Sequence, residues 1–571
     1  MCGIFIAVQK KPGRLDATEK NKKNLKVLNA LHKRGPDEQQ VIEANENITL
    51  IHTRLSINGL GDGKQPFCHR EDLYSIVNGE IYNYYDLKTR LSPSLRTKSD
   101  CEIIGQLYLR NLHIYDECDG MFAFAIIDLK NNIITLGRDP QGEKPLYCFE
   151  DDDVFVASSS QESIKAYIEP KYTINRHAIV EYCRYQFNHE HVLLNGCWMI
   201  KPGEQTIYNL NNYCTQSTFP STKSKTLLEV SNYDQLWDLL VASVERVLFS
   251  EVDISLALSS GLDSSLIAII ASRVLNKDIH ALSIDNRSLS SEAVDAKKTA
   301  DILGIIHQTL SIDDTDITEY LSEYPAFDRP YGDLAQIGYN KLAMFSSKVL
   351  LFGHGLDECL FGYKWVNNYG NLMETASRIG LANLYDSPFS ASRYLKNTSD
   401  DFHQIFSYEW NNSIAVNDSL EFCRNLKRSA YEPFKKMYLV ENGLMQTDNI
   451  GMYHSIEART PFCECKYNNI ILTGELKSLT KQKLLKNLAH TRGEFKDMSH
   501  LMTRNKKGFS PGGRSLKSRI AQEFDVICSD LDHPLFSNNI LKPDFDYTAL
   551  CRDTKRTLLF LGLYLSSNYS L

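Results

Sequence analysis

The sequence predicts two domains of different classes, an α+β domain followed by an α/β domain with a parallel sheet. Three observations support this. Short β-rich runs and helical stretches mix irregularly over residues 1–210. A segment rich in Asn, Ser and Thr follows and is typical of a linker. Beyond it, apolar strands and amphipathic helices alternate regularly, a pattern typical of a parallel sheet covered by helices.

The predicted strands of the first domain are short apolar runs separated by turn residues such as Asn131 and Asn132. They cover Gly3 to Val8, Ile48 to His52, Tyr74 to Val77, Phe122 to Asp128, Ile133 to Gly137 and Val154 to Ala157. Helices are predicted between them, over Thr18 to His32 and Cys101 to Arg110. We expect residues 2–208 to form this domain.

The segment from Asn211 to Lys225 contains Pro220, so we place a linker over 209–228 and the second domain over 229–571. Its predicted strands are Asp253 to Leu258, His280 to Ile284, Ile305 to Ile312 and Lys348 to Phe352. Its predicted helices are Ser264 to Asn276 and Ser291 to Leu303. From Asn371 onward the chain is predicted to be mainly helical.

Composition excludes several classes of protein. Among 571 residues, 63 Lys and Arg against 71 Asp and Glu give a net charge of −8, which argues against a general nucleic-acid-binding surface. Hydrophobic residues are 43% and charged residues 23%, which excludes wholesale disorder. No apolar run approaches the ~20 residues of a membrane span, and the start does not resemble a secretory signal. We therefore expect a cytoplasmic protein that binds neither nucleic acid nor a membrane.

Cys2 is the first candidate catalytic residue. A small second residue allows removal of the initiator Met, which leaves Cys2 with a free α-amine. Such an amine has a pKa near ~7.7 and can accept the thiol proton, so one residue can be both nucleophile and base. Taken alone, Cys2 can equally be an ordinary residue of the first strand, since most cysteines are inert.

Other segments of the first domain supply what a site for free glutamine needs. Such a site requires a cation for the α-carboxylate, an anion for the α-ammonium, and donors for the oxyanion that forms when a thiolate attacks the amide. Arg54 has the positive charge, and Glu80 or Asp100 has the negative one. Asn78 and the backbone N–H of Gly79 are the donors. The segments are His32 to Asp37, His52 to Ile57, Asn78 to Asn83, Ser99 to Glu102, Asp119 to Phe124 and Arg138 to Tyr147.

This ordered set resembles the glutaminase domain of the class II, N-terminal-nucleophile glutamine amidotransferases, and in particular that of the glutamine-dependent asparagine synthetases. The resemblance covers most of residues 1–205 and implies an αββα sandwich. It implies that Cys2 is the nucleophile and that Asn78 and Gly79 form the oxyanion hole. The residues that it assigns to glutamine binding are Arg54, Asn78, Glu80 and Asp100.

A second candidate site joins a predicted strand to a predicted helix, over Leu258-Ser259-Ser260-Gly261-Leu262-Asp263-Ser264-Ser265. Small residues let backbone N–H groups approach a phosphate, and the helix N-terminus adds a favourable field. Ser259, Ser264 and Ser265 can donate to phosphate oxygens. Asp263 fits beside an anion only when a cation such as Mg²⁺ mediates. A strand, turn and helix with a serine N-cap also accounts for this segment when it is taken alone.

A second acidic turn, Gly353-His354-Gly355-Leu356-Asp357-Glu358, follows the apolar run Val349 to Phe352. Ligands of α/β sheets bind where strands end at their carboxyl termini. We therefore expect Asp263 and Asp357 to share a Mg²⁺ that bridges the phosphates of ATP.

Together the two loops resemble the ATP pyrophosphatase fold of the same synthetases, over most of residues 230–515. Ser260 stands where the family's loop usually has Gly. The resemblance continues through Asp448, Ile456 to Phe462 and Arg504 to Phe509, and it implies that Lys506 steadies the phosphates and the acyl-adenylate. The residues that it assigns to ATP are Leu258, Ser259, Ser260, Gly261, Asp263, Ser264, Ser265, Ser283, Gly353 and Gly355.

Several positions stay open. His354 stands where asparagine synthetases usually have Glu, so it either acts as a base or signals a different acceptor. The family usually has a Lys shortly before an Ile-Leu-Arg-like run, and here Lys486 replaces the Arg. Either Lys481 or Lys483 takes the place of the family's Lys, or both lie on a solvated helix face. Arg34 and Arg138 either belong to the glutamine site or pair with acids at the surface.

The two half-sites together imply glutamine-dependent, ATP-consuming amide synthesis. By the resemblance, Cys2 hydrolyses glutamine, and the ammonia passes between the domains to a carboxylate that has been adenylated, with release of pyrophosphate and then AMP. The default acceptor is aspartate, which gives asparagine. One alternative is another carboxylate, such as a sugar uronic acid, a peptide or a natural-product intermediate. A silent regulatory homologue is disfavoured because Cys2, Arg54, Asp263 and Asp357 are present. A homodimer is left open.

Overall fold

The computed structural model describes residues 2–219, 228–285, 292–359, 435–463, 470–502 and 513–568, with gaps at 12, 14, 92–94, 171, 477–478, 531, 538–540, 542–549 and 551. In this part of the chain, no helix is both long enough and apolar enough to cross a membrane. The prediction of mainly helical structure from Asn371 onward falls in part on 371–434, which lie outside the described residues. Where the chain is described beyond 434, its long elements are helices, at Met445–Tyr453, Lys481–Thr491, Gly513–Ile527 and Arg552–Asn568.

Two antiparallel sheets form the first domain. The strands are, in chain order, β1 (Cys2–Gln9), β2 (Glu38–Asn45), β3 (Ile48–Arg54), β4 (Phe67–Arg70), β5 (Leu73–Ile81), β6 (Gly120–Asp128), β7 (Ile133–Arg138), β8 (Tyr147–Glu150), β9 (Val154–Ser158), β10 (Cys197–Met199), β11 (Gln205–Asn209) and β12 (Thr215–Thr218). One sheet has the order β10-β8-β9-β1-β3-β2, and the other has the order β12-β11-β7-β6-β5-β4.

A buried apolar layer joins these two sheets face to face. Ile4 and Ile6 of β1 and Leu50 of β3 belong to the same core cluster as Ala123 and Ala125 of β6. The helices of this domain are α1 (Ala17–Leu31), α2 (Tyr84–Leu91), α3 (Ile103–Leu109), α4 (Ile114–Glu117), α5 (Gln161–Ile168) and α6 (Arg176–Tyr185). They pack on the outer faces, with α1, α5 and α6 over the first sheet and α2 and α3 over the second. The predicted αββα sandwich is confirmed.

The second sheet extends into the predicted linker. β12 (Thr215–Thr218) pairs with β11 although all four of its side chains are exposed. An exposed edge strand needs only backbone hydrogen bonds on one side, so its sequence lacks the apolar alternation that marks an internal strand. The other proposed limits of the linker stay predictions.

The second domain contains a parallel sheet with the order β16-β15-β14-β17-β18, as predicted. The strands are β13 (Leu228–Val230), β14 (Ile254–Ala257), β15 (His280–Asp285), β16 (Ile306–Ser311), β17 (Val349–Leu351), β18 (Glu457–Arg459) and β19 (Ile470–Leu472). β13 and β19 form a separate parallel pair.

Helices flank this sheet and also reach the first domain. They are α7 (Tyr233–Val247), α8 (Leu262–Ile269), α9 (Glu292–Leu303), α10 (Asp314–Glu323), α11 (Ala335–Phe345), α12 (Leu356–Cys359), α13 (Met445–Tyr453), α14 (Lys481–Thr491), α15 (Gly513–Ile527), α16 (Pro534–Ser537) and α17 (Arg552–Asn568). Tyr182 of α6 lies in one core cluster with Tyr324 and with Phe560 of α17. The two domains therefore share buried apolar surface.

Candidate functional site

Cys2 lies where a strand of one sheet contacts a strand of the other. It is the first residue of β1 and pairs in register with Arg54 at the end of β3. The backbone N–H of Cys2 donates to Asn78 Oδ1 of β5 at 3.0 Å. Burial raises the pKa of the Cys2 thiol, although the charges of the amino terminus and Arg54 oppose this. A thiol in this environment needs a nearby base before it can act as a nucleophile.

Asn78 and Gly79 offer donors beside Cys2. Asn78 is fully buried, and its Nδ2 has no hydrogen-bond partner among the described residues. At Gly79 a Cβ would lie 2.0 Å from the carbonyl oxygen of Met121 on β6, so only glycine lets the two strands approach this closely. A buried amide without a partner is costly, and an oxyanion would satisfy it. The geometry suits the oxyanion hole that the sequence predicts.

The Arg54 guanidinium is fixed next to Cys2 by three acceptors. Its Nη1 donates to Glu38 Oε2 at 3.1 Å, and its Nη2 donates to the carbonyls of Asn58 at 3.2 Å and Gly59 at 2.6 Å. Arg54 therefore organises the loop after β3, in addition to placing a positive charge near the thiol.

Glu80 and Asp100 form a buried acidic pair. Glu80 Oε2 accepts from Asn58 Nδ2 at 2.7 Å, and Asp100 Oδ2 accepts from the backbone N–H of Ile81 at 2.6 Å. Burial raises the pKa of both carboxyl groups, and the charge of Asp100 raises that of Glu80 further. Acidic groups this close favour a cation between them, and an α-ammonium group is such a cation.

The second half-site lies where the strand order of the parallel sheet reverses. β15 and β16 lie on one side of β14, and β17 and β18 lie on the other. The loops that leave β14 and β17 therefore border the crevice in which α/β sheets bind ligands.

Serine side chains close the loop after β14. The Ser259 N–H donates to Ser264 Oγ at 3.1 Å, and the Gly261 N–H donates to Ser259 Oγ at 2.8 Å. Gly261 is the N-cap of α8. The Ser265 hydroxyl is buried without a partner among the described residues. A tight turn at a helix N-terminus, with a buried hydroxyl beside it, suits a phosphate.

Glycines bring the loop after β17 against the first loop. At Gly353 a Cβ would lie 3.0 Å from both Asp263 Cβ and Ser264 N. Gly355 has φ +98°, and a Cβ there would lie 2.6 Å from the carbonyl oxygen of Phe462, so it also requires glycine. The two loops thus touch, with one aspartate on each.

Lys481 bridges these two aspartates. It is the first residue of α14, and its Nζ donates to Asp263 Oδ2 at 2.6 Å and forms an ion pair with Asp357. Burial lowers the pKa of Lys481, but the charges of both aspartates outweigh burial and raise this pKa above its usual value. Lys481, and not the exposed Lys483, is thus the lysine at this point.

The two carboxylates fit a magnesium ion. Mg²⁺ is commonly held by one or two carboxylates together with substrate phosphates and water. Asp263 and Asp357 converge on one cationic centre, as such an ion requires. Across the described segments, no group of three or more His, Cys, Asp or Glu side chains could hold a metal. The remaining ligands of an ion here would be phosphate and water oxygens.

His354 is held between aromatic rings. Its ring is stacked on Phe352 with the centroids 5.6 Å apart, and it meets Tyr339 edge-on at 5.9 Å. Burial lowers the pKa of His354 to about 4, although the charge of Asp357 opposes this, so the ring is neutral at pH 7. Its Nε2 is buried and has no hydrogen-bond partner among the described residues.

Two family models match the chain. One is described as a glutamine amidotransferase domain and matches residues 1–219. The other is described as asparagine synthase and matches residues 235–552, which is more than half of the chain. The chain belongs to the asparagine synthase family. The predicted resemblance, and the class of enzyme that it implies, are confirmed.

Curated members of the asparagine synthase family match most of the chain. Asparagine synthetase [glutamine-hydrolyzing] 1 of Bacillus subtilis (strain 168) is 27% identical over 566 residues, which cover 89% of this chain and 87% of that protein. Asparagine synthetase B [glutamine-hydrolyzing] of Escherichia coli (strain K12) is 28% identical over 416 residues, which cover 68% of this chain and 70% of that protein.

For the other described residues that the family resemblance assigned, the structure gives a position but no contact that indicates a role. Leu258 and Ser260 are buried in the first loop. Ser283 lies on β15, where its hydroxyl hydrogen-bonds to the ring of His307. Lys506 lies outside the described residues. The roles of these residues stay predictions.

Neither Arg34 nor Arg138 pairs with acids at the surface. Both Nη atoms of Arg34 donate to Asp448 Oδ2 at 3.1 Å, across the domain interface. Arg138 is fully buried and donates to the carbonyls of Lys144 at 2.8 Å and Gly142 at 2.7 Å. Both side chains therefore make buried hydrogen bonds that stabilise the fold.

Arg459 lies in the stretch Ile456 to Phe462 that resembles the family, but the sequence assigned no role to it. Its Nη2 lies 3.8 Å from Glu80 Oε1, and its Nε donates to Glu457 Oε1 at 2.6 Å. The backbone carbonyl of Arg459 accepts a hydrogen bond from the Phe352 N–H at 2.9 Å, and Phe352 lies two residues before His354. The available signal was two charges, Glu457 and Arg459, spaced two residues apart inside an apolar stretch, where they face the same side of a strand. Arg459 joins the two half-sites of this synthetase.

Proposed function

We propose that this chain makes asparagine from aspartate, glutamine and ATP, with release of AMP and pyrophosphate. The observation that carries the proposal is the junction at Arg459, which contacts Glu80 of one half-site and the strand that leads to His354 of the other. Membership of the asparagine synthase family supports the same reaction. A cytoplasmic location and a homodimer stay predictions.

In the first half-site, glutamine binds with its α-carboxylate near Arg54 and its α-ammonium near Glu80 and Asp100. After removal of Met1, the nitrogen of Cys2 is an amine that takes the thiol proton. The Asn78 side chain, which contacts that nitrogen at 3.0 Å, holds it in place. The unpartnered Asn78 Nδ2 and the Gly79 N–H then donate to the oxyanion.

In the second half-site, the loop over 258–265 binds the phosphates of ATP. Asp263 and Asp357 would hold Mg²⁺, which would supply positive charge to neutralise the phosphates. The carboxylate of aspartate attacks the α-phosphate of ATP, and pyrophosphate leaves. Adenylation replaces a poor leaving group, oxide, by AMP. The neutral His354 presents a buried Nε2 as proton acceptor when ammonia attacks the acyl carbon.

The ammonia travels inside the chain between the half-sites, because free ammonia would be protonated in water. Support for a closed route comes from the buried interface, where Asp448 accepts from Arg34 and from Lys144, the latter at 3.2 Å. Buried ion pairs of this kind exclude solvent from the junction.

His354 favours one alternative, the same chemistry on another carboxylate. A neutral imidazole between Phe352 and Tyr339 replaces the carboxylate that asparagine synthetases usually have. Such a pocket differs in charge from one that contains Glu, and charge is a main determinant of which acid binds.

The test is pyrophosphate release from ATP-Mg²⁺ and glutamine, with and without aspartate, followed by mass detection of asparagine. Aspartate-dependent pyrophosphate in equal amount to asparagine supports the proposal. Glutamine hydrolysis without aspartate-dependent pyrophosphate contradicts the aspartate assignment, and a screen of uronic acids and peptides then tests the alternative.

A further inference from the structure

The ammonium group of Lys481 occupies the point shared by the two acidic loops of the ATP site. Its Nζ contacts Asp263 on the loop after β14 and Asp357 after β17. The three side chains are 15 to 17% exposed, so bulk water screens their charges only in part.

Only the Lys481 side chain needs to move for this contact to break. Leu484, Leu485 and Leu488 of α14 are buried in the same core cluster as Leu256 of β14. The Thr480 side chain caps the helix, accepting from the Lys483 N–H at 3.2 Å. The backbone of α14 is therefore anchored, whereas the lysine has a flexible four-carbon stem.

Two cations cannot occupy one position between the same carboxylates. A divalent cation that used both aspartates would have to displace the ammonium group, which would then face the phosphates delivered with that cation. The released Lys481 is a donor of three hydrogen bonds, and phosphate oxygens are suitable acceptors.

We propose that the Lys481 ammonium group occupies the position of a divalent cation between Asp263 and Asp357 and so prevents metal binding in the absence of ATP. When ATP binds with its cation, the Lys481 side chain moves and contacts the phosphates instead. The inference rests on the proposed function only in taking ATP with its cation as the ligand of these loops. Competition from the ammonium group therefore lowers the affinity of Asp263 and Asp357 for a divalent cation in the enzyme without ATP.

The test measures Mn²⁺ binding to the full chain without ATP, by the loss of the free Mn²⁺ signal in electron paramagnetic resonance. Lys481→Met removes the ammonium group and is expected to bind Mn²⁺ about tenfold more tightly than the wild type, since competing ligands weaken each other reciprocally. Lys481→Arg keeps the charge and is expected to match the wild type. Lys483→Met, on the exposed side of the same helix, is the matched control and is also expected to match it.

Equal or weaker Mn²⁺ binding by Lys481→Met than by the wild type overturns the proposal, and so does equal tightening by Lys483→Met. Adding Asp263→Asn to Lys481→Met is expected to remove the gain, because the metal then loses a carboxylate. Thermal unfolding of each variant verifies that it is folded. Neither glutamine nor aspartate is present, so a failure of the proposed function in the pyrophosphate test leaves this result unaffected.

Discussion

Cys2 is buried and His354 is half-buried with its Nε2 inside the protein, and burial moves the pKa values of their side chains in opposite directions. The pKa of the thiol rises and that of the imidazole falls, so each group is held in its neutral form at pH 7. In the proposed mechanism, Cys2 therefore uses its own amine as base, and the neutral ring of His354 offers its Nε2 as a proton acceptor.

Cys2→Ala is expected to lower glutamine hydrolysis by about a thousandfold or more, because it removes the proposed nucleophile and leaves its amine without a thiol to deprotonate. Synthesis from added ammonium should continue, since the second half-site is unchanged. Glutamate and product formation are measured separately. Cys68→Ala, at an exposed cysteine, is the control and should retain both activities. Retained glutamine hydrolysis in Cys2→Ala would disprove the assignment of the nucleophile.

His354 is expected to stay unprotonated from pH 8 down to about pH 5. Its pKa in the folded protein, about 4, lies below the usual value of 6.5. Its contribution to stability is therefore complete above pH 6.5 and is lost as the pH falls through about 4. An NMR titration of the ring, assigned with His354→Gln, measures this pKa. A midpoint near 6.5 would show that the ring is solvated.

At the scale of elements, two loops at the reversal of the parallel sheet each contribute one carboxylate. Asp263→Asn and Asp357→Asn are each expected to lower pyrophosphate formation about a hundredfold or more while glutamine hydrolysis continues, because each removes a proposed magnesium ligand. Asp278→Asn, at an exposed loop residue, is the control. Unchanged pyrophosphate formation in both site variants would refute the metal assignment.

Strands with apolar alternation or an apolar run could be predicted from the sequence, whereas the polar edge strand β2 could not. β1 and β6 are nearly continuous buried runs, and their predicted limits differ from the observed ones by at most two residues. β2 (Glu38–Asn45) was missed because it lies at a sheet edge and is largely polar. β18 was missed because its two charged residues, Glu457 and Arg459, are buried as a pair, with further contacts from Arg459 to Glu80 and to the Val247 carbonyl.

The candidate site shows the same division. Asn78 and Gly79 follow an apolar run, so their place at the end of a strand was visible in the sequence. The choice between Lys481 and Lys483 was not, because it depends on where α14 begins and which loops its first turn meets. The role of Arg459 depends on contacts with residues more than a hundred positions away, which no local pattern encodes.

At the scale of the whole molecule, the domain interface contains a buried carboxylate with two cationic partners. Asp448 is 1% exposed and contacts Arg34 and Lys144 of the first domain. Asp448→Asn leaves two buried cations without a counter-charge, which costs about 3 to 5 kcal/mol. We expect a clearly lower unfolding temperature, measured by calorimetry, and less product per glutamine hydrolysed.

The matched control is Lys348→Gln, which removes a half-exposed ion pair with Asp37 at the same interface. An exposed pair contributes at most about 1 kcal/mol, so this variant should unfold near the wild-type temperature. Equal losses in the two variants would show that burial of Asp448 is not what holds the domains together.

We propose that the two half-sites work as one enzyme, with ammonia passing between them inside the chain. The most direct test supplies glutamine labelled with ¹⁵N at the side-chain amide, together with ATP-Mg²⁺, aspartate and an excess of unlabelled ammonium. We predict that most of the asparagine formed carries ¹⁵N in its amide. Asparagine labelled only to the proportion of ¹⁵N in the bulk ammonium would contradict the account, because the ammonia would then have mixed with solvent before it reacted.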